Sequence, residues 1–427
     1  MADNKAKYIA GVGWRYDTDT TRHHRENLWD YKGRAIYHIT LATEERQPIF
    51  GTLTGGSEDE AFVVYSRLGE YVDRTFRGLP AFYARKGVKI KVLAVRVMPD
   101  HMHGVIHVLE PMPKSIGEVV RSFKSACTSW FKRQCLEAPA APASPGNNAG
   151  ELQGQAATHL TATAALPAGA ERLTAAERQA LEQRLMQFGR IFAARGSIWE
   201  SMPAGYHERI LHCEGQLERM IRYVKDNPRR LWLKRHAPAL FRLRNDQAWT
   251  FVDERGLTHT WRFRALGNRF LLDFPLKQHI QCSRSITAQE LEQRCQAWSA
   301  NARQGVVSIT SAISEGEKAV TRRLREAGLP LIVMLKDGFP PVGAPHERYF
   351  KPGGVYFDAC AAGRLLLIEP YPEVLDDPLI VEAVFRKSPM APRDSMRYHF
   401  LALNKVGEVM SDGRQPPHES DTHRLTI

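Results

Sequence analysis

The chain has 427 residues, a formal net charge of +12 and six cysteines. That length exceeds one ordinary domain and predicts two or three, while the charge favours a polyanionic partner such as nucleic acid. No apolar run approaches the ~18 residues of a membrane span, the opening M-A-D-N-K-A-K lacks a signal peptide's apolar stretch, and cysteines without a C-x-x-C pair argue against structural zinc. The expectation is a cytoplasmic protein, with no membrane partner and with buried free thiols.

Residues 1–34 are polar, with an R-H-H-R run at Arg22–Arg25 that reads as a solvated arm or a DNA contact. Residues 35–43 alternate as a half-buried strand does, Tyr37, Ile39 and Leu41 on one face, His38 and Thr40 on the other. A helix is expected over 58–77, with Phe62, Tyr65, Leu68, Val72 and Phe76 as its inner stripe. Strands follow at 88–98 and 101–109, joined by the Pro99-Asp100 turn. An amphipathic helix at 114–134 buries Ile116, Val119, Val120, Phe123, Cys127, Trp130 and Phe131. Its Lys114, Arg121, Lys124, Lys132 and Arg133 either hold phosphates or form a solvated face. Residues 137–170 are rich in Ala, Pro, Gly, Ser and Thr and read as disordered linker. Thr174 and Glu177 make a capping box for a helix through Phe192.

Two stretches carry candidate chemistry. In R-V-M-P-D-H-M-H-G-V-I-H-V, residues 96–108, His101 and His103 share one face of a strand about 7 Å apart at the backbone. Two imidazoles so placed can bind one divalent metal, or be an accident of a histidine-rich chain. In residues 214–228, Leu217, Met220, Ile221 and Val224 repeat at helical spacing, with Tyr223 and Asn227 one above the other. Pro228 is expected to end that helix. Packed beside the histidine strand, it would bring an amide oxygen and a phenol to the metal; otherwise the tyrosine packs and the asparagine caps. Tyr206, in W-E-S-M-P-A-G-Y-H-E-R-I, is the rival nucleophile but lacks an amide partner one turn away, and reads as packing. His207 and Glu208 are possible contributors. Residues 229–264, opening on Arg229 and Arg230, interleave aromatics with arginine, a pattern that stacks on unpaired bases or covers a core.

P-D-H-M-H, the S-F-K-S helix, I-W-E…Y-H-E-R-I and Y-V-x-x-N-P resemble, in that order, the REP-associated tyrosine transposases. These are relatives of the IS200-like transposases, in the HUH single-strand nuclease class. The resemblance spans residues 22–228 around one long insertion. It implies an α+β fold, a ferredoxin-like antiparallel sheet with helices on one face and the other free for substrate. It also implies that His101, His103 and Asn227 hold Mg²⁺ or Mn²⁺, although ligand softness alone would allow zinc. Tyr223 would be the nucleophile, cleaving and rejoining hairpin-forming single-stranded DNA through a 5′-phosphotyrosine without ATP. Arg121, Lys124, Lys132, Arg133, Arg229 and Arg230 are the expected DNA contacts. The alternatives are a non-catalytic DNA-binding protein that keeps this fold, and a nucleotide-sensing or scaffold protein dominated by its C-terminal domain. Monomer and homodimer both stay open.

A second domain is expected over 267–412, after a first at 35–265. Strands at 305–311, 331–335 and 365–368 around a helix at 314–327 predict a parallel α/β unit. S-A-I-S-E-G-E-K and Y-F-D-A-C-A-A-G-R-L-L-L resemble the Rossmann-type domain of DNA-processing recombination mediators. Ser311, Ser314 and Gly316 stand before a helix N-terminus that receives a phosphate or is simply capped. The tail at 413–427 reads as disordered.

Overall fold

The computed structural model describes residues 6–9, 13–16, 29–136, 173–201, 206–283, 285–339, 354–389, 392–393 and 395–412. The R-H-H-R run, the 137–170 linker and the 413–427 tail lie outside them. The chain is α+β, in two compact units: residues 20–233, and residues 1–19 with 234–427. No described helix is long and apolar enough to cross a membrane. All six cysteines are free, and all are buried except Cys213. Within the N-terminal arm, β1 (Ala6–Ile9) and β2 (Gly13–Tyr16) form an antiparallel hairpin.

In the 20–233 unit, β3 (Ala35–Ala42) buries Tyr37, Ile39 and Leu41 as the alternation requires. β4 (Gly51–Thr54) pairs with β5 (Phe62–Tyr65). This corrects the helix expected over 58–77: F-V-V-Y, aromatic and β-branched, takes the strand. Ser66 then caps α1 (Arg67–Ala84), its hydroxyl accepting the Gly69 N–H at 3.1 Å. Leu68, Val72 and Phe76 do form the inner stripe. β6 (Ile90–Val97) and β7 (His101–Val108) follow, closed at the Pro99-Asp100 turn by a 2.7 Å bond from the Met98 N–H to the His101 carbonyl. Next come α2 (Ile116–Phe131) and α3 (Ala175–Arg195), the latter with the expected Thr174–Glu177 capping box. β8 (His207–Ile210) and α4 (Gln216–His236) complete the unit.

The sheet order is β6-β7-β3-β8, every pair antiparallel. One face carries Tyr37, Ile39, Met102 and Ile106 and packs against the stripes of α1 and α2 in a single core. Each such aliphatic side chain contributes roughly 1.5–3 kcal/mol of burial. The opposite face, expected to be free, is partly covered: Val224 of α4 packs on Ala94 and Val105, with Met220 and Ile221 beside them.

Gly104 sets how closely α1 approaches the histidine strand. A Cβ there would lie 2.1 Å from the Phe76 ring, which is itself fully buried and edge-on to Phe123 at 5.2 Å. Gly104→Ala is therefore expected to cost about 1–3 kcal/mol of stability, read as a lower urea midpoint. An unchanged midpoint would mean that α1 is free to shift.

The second unit holds a six-stranded sheet: β9 (Arg244–Val252), β10 (Thr258–Gly267), β11 (Lys277–His279), β12 (Val307–Thr310), β13 (Leu331–Met334) and β14 (Leu365–Pro370), in the order β11-β12-β13-β14-β10-β9. β11 to β14 run parallel, and β12 to β14 are buried throughout, as parallel strands covered on both faces are; β13 is wholly apolar, while β12 buries Ser308 and Thr310 and β14 buries Glu369. β10 joins antiparallel to β14, placing Phe263 opposite Pro370. This moves the expected boundary near residue 266 back to 233/234, because Trp249, Phe251, Trp261 and Phe263 belong to this second core. Those aromatics are 0–2 % exposed, so they cover a core and offer no face to bases.

Candidate active site

The cross-strand register collects polar side chains on the α4-bearing face of the first sheet. Arg96 of β6, His103 of β7, Thr40 of β3 and His207 of β8 form one row. Val105, His38 and Arg209 stand in the adjoining row. Side chains in such rows share a face.

His101 and His103 meet edge-on, ring centroids 4.9 Å apart. The Nδ1 of His101 lies 2.7 Å from the Asp100 carboxylate. Burial pushes that carboxyl up, but the His101 hydrogen bond and Arg46, 4.0 Å away, outweigh it and hold the group below its ordinary value. A carboxylate accepts only, so it keeps the hydrogen of His101 on Nδ1 and leaves the lone pair on Nε2. The Nδ1 of His103 lies 2.9 Å from the Thr40 hydroxyl and 3.2 Å from Nε2 of His38. His38 is stacked on His103 at 5.2 Å. Burial, and then Arg209, lower the His38 pKa to about 4, so the ring is neutral at neutral pH.

α4 brings Tyr223 to this group, its ring 5.3 Å from that of His103 and 6.1 Å from that of His38. Pro228 does not end the helix as expected; it lies inside α4, which runs on to His236. Proline denies a hydrogen bond to the Val224 carbonyl, and in the same turn the Asn227 side chain donates to the Tyr223 carbonyl at 2.9 Å. That bond settles which way the amide points, since the flipped form would oppose two acceptors. The buried Asn227 thus keeps Oδ1 as its acceptor atom. Arg230, also buried, places its guanidinium over the Tyr223 ring at 5.3 Å. Burial raises the phenol pKa, opposed by Arg230, by the Asn227 side chain hydrogen-bonding to the phenol itself, and by Arg209.

The residues fit a divalent cation in their chemistry: two imidazoles, one with a carboxylate behind it, and an amide oxygen. Among the described residues, no cluster of three or more His, Cys, Asp or Glu side chains suits a metal, so the amide is essential to that fit.

The remaining candidates fall elsewhere. α2 packs on the opposite face of the sheet, which takes its Arg121 and Lys124, and Lys132 and Arg133 in the turn of helix just past its end, away from the imidazoles. Arg121 pairs with Glu118 at 2.7 Å, and Lys124 is partly buried with its amine pushed down by that burial. Arg229 pairs with Glu58 at 2.8 Å. Tyr206 is in the core. Glu208 stands opposite Ile39, on the core face, whereas His207 is in the imidazole row. In the second unit, Ser314 caps its helix (Glu315–Glu326) and the Glu317 carboxylate accepts the N–H groups of Ile313 and Ser314 at 2.7 and 3.2 Å. A phosphate would meet that carboxylate, so capping accounts for Ser314. Sequence reasoning left His38, Thr40, Asp100, Arg96 and Arg209 unassigned. For His38 and Thr40 the signal was their alternation away from Tyr37 and Ile39.

No protein-family profile matches the chain. Among curated proteins, it is similar to one from Haemophilus influenzae described only as uncharacterized, with 23 % identity over 151 residues, covering 30 % of this chain and 73 % of that protein.

Proposed function

We propose that the 20–233 unit is a tyrosine transposase-like enzyme of the HUH class, which cleaves and rejoins hairpin-forming single-stranded DNA. The observation that carries the reading is the Tyr223 ring 5.3 Å from His103, on a helix that turns the Asn227 amide oxygen away from its own backbone bond. The succession β3-α1-β6-β7-α2-β8, to which the β4–β5 hairpin and α3 are additions, and the sheet order β6-β7-β3-β8 support a ferredoxin-like fold of the kind the resemblance implies.

His101 and His103 through Nε2, and Asn227 through Oδ1, would hold Mg²⁺ or Mn²⁺. A cation so held supplies Lewis-acid polarisation of the scissile phosphate. The Tyr223 oxygen attacks phosphorus, the bond to the 3′ oxygen breaks, and the phenol proton leaves for solvent as the 3′-hydroxyl takes one up. The 5′-phosphotyrosine keeps the energy of the broken ester, so a second 3′-hydroxyl reverses the step without ATP. Arg230 steadies the phenolate as it forms. Arg96 and Arg209, on the imidazole face, replace the α2 cations as the proposed phosphate contacts, and the net charge of +12 suits such a substrate.

The test is an end-labelled hairpin oligonucleotide with single-stranded flanks, incubated with the protein and Mn²⁺. A denaturation-resistant adduct that peptide mapping places on Tyr223 is expected. Retention of the hairpin without an adduct would instead identify a DNA-binding protein that keeps this fold.

A further inference from the structure

We infer that His38 is a positioning residue for His103: with Thr40, it holds the imidazole in the tautomer whose Nε2 carries the lone pair, the form that ligates a cation. The inference rests on reading His101 and His103 as cation ligands.

The two imidazoles are held by different means. His101 has a carboxylate at Nδ1, 2.7 Å away, an obligatory acceptor that leaves one tautomer. His103 faces a hydroxyl at 2.9 Å and a second imidazole at 3.2 Å, and each of these can donate or accept. Two arrangements satisfy this geometry. In the first, the hydrogen is on Nδ1 of His103, and Thr40 Oγ1 and His38 Nε2 accept it. In the second, Nδ1 is bare, Thr40 or His38 donates to it, and the hydrogen on Nε2 bars that nitrogen from a cation. Ligation therefore demands that His38 present a bare Nε2.

The surroundings hold the two rings in this contact. His38 is 9 % exposed, stacked on His103 with ring planes 23° apart, and edge-on to Tyr223 at 88°. Its ring makes one corner of a triangle with those of the proposed ligand and the proposed nucleophile, in contact with both. Its strand is hydrogen-bonded to β7 along the whole length of both, which fixes the offset between the rings. Partners of this kind, behind a ligating histidine, change metal affinity by roughly 10–100-fold when removed.

The experiment is long-range ¹⁵N–¹H NMR on ¹⁵N-histidine-labelled full-length protein without metal, together with titration by Mn²⁺ alone. Wild-type His103 is expected as the Nδ1–H tautomer. His38→Phe should populate the Nε2–H form and weaken Mn²⁺ by roughly 10–100-fold, and His38→Gln, whose amide oxygen can accept, should restore part of both. An Nε2–H His103 in the wild type overturns the inference, even if His38→Phe does not fold. So does an unchanged tautomer and affinity in His38→Phe. His101→Ala separates the underlying reading: if the wild type and His101→Ala fail alike to bind Mn²⁺, the ligand assignment falls, whatever the His103 tautomer. If His101→Ala alone loses Mn²⁺, the ligands stand and only the role of His38 is judged.

Discussion

Tyr223→Phe is expected to retain the labelled hairpin and form no covalent adduct at any Mn²⁺ concentration, while Arg230→Met forms it roughly tenfold more slowly. The first outcome follows from chemistry: phenylalanine keeps the ring that packs on His38 and His103 and removes the only atom that can bond to phosphorus. The second follows from electrostatics. A phenol has an ordinary pKa near 10, and burial pushes Tyr223 higher. The Arg230 guanidinium, 5.3 Å from the ring and itself buried, opposes that push. Without it the phenolate is costlier to form, and each pKa unit is worth ~1.4 kcal/mol, or tenfold in rate. The sign is fixed: the nucleophile's pKa rises, so the pH–rate profile of Arg230→Met moves to higher pH. Arg230→Lys, which keeps the charge, should move it less. Rates are compared at a temperature where thermal melts show all variants folded. An unshifted profile in Arg230→Met would remove the guanidinium from the chemistry.

What could be read in the sequence depended on whether the signal was local. The spacing of His101 and His103 and the stacking of Tyr223 over Asn227 are properties of one strand and one helix, and period alone displays them. Their meeting is not local. It depends on β8 pairing with β3 and on Val224 packing against Val105 more than a hundred residues away in sequence. His38 went unassigned for the same reason: its alternation was plain, but its neighbour across the sheet was not. Local rules also misled where tertiary contacts override them. Phe62 and Tyr65 fit a helical stripe, yet pair in a hairpin with β4. Pro228 should stop a helix, but α4 continues through it. The arginine-aromatic stretch fitted base stacking until β10 found β14 and buried Trp261 and Phe263.

The pairing of β10 with β14 encloses a buried charge pair, and Arg264→Met is expected to destabilise the C-terminal unit by about 3–5 kcal/mol. Arg264 and Glu369 stand opposite each other in the register, 3.1 Å apart, with Arg264 only 2 % exposed. Removing the cation strands a carboxylate out of water, and its desolvation is no longer repaid by attraction. Replacing both by methionine removes the stranded charge as well, so Arg264→Met/Glu369→Met should recover much of the loss. Recovery stays incomplete because the Glu369 carboxylate also accepts the Phe339 N–H at 2.7 Å. An orphaned buried amide costs about 1–3 kcal/mol. A domain's whole stability is only about 5–15 kcal/mol, so the single variant should open detectably. Hydrogen exchange followed by mass spectrometry is expected to quicken in β9, β10 and β14, with β3, β6 and β7 unchanged. If the double variant were less stable than Arg264→Met, the pair would be a net source of stability, and the account of a stranded carboxylate would fail. If exchange in β7 rose in step, the 233/234 boundary would not separate two cooperative units.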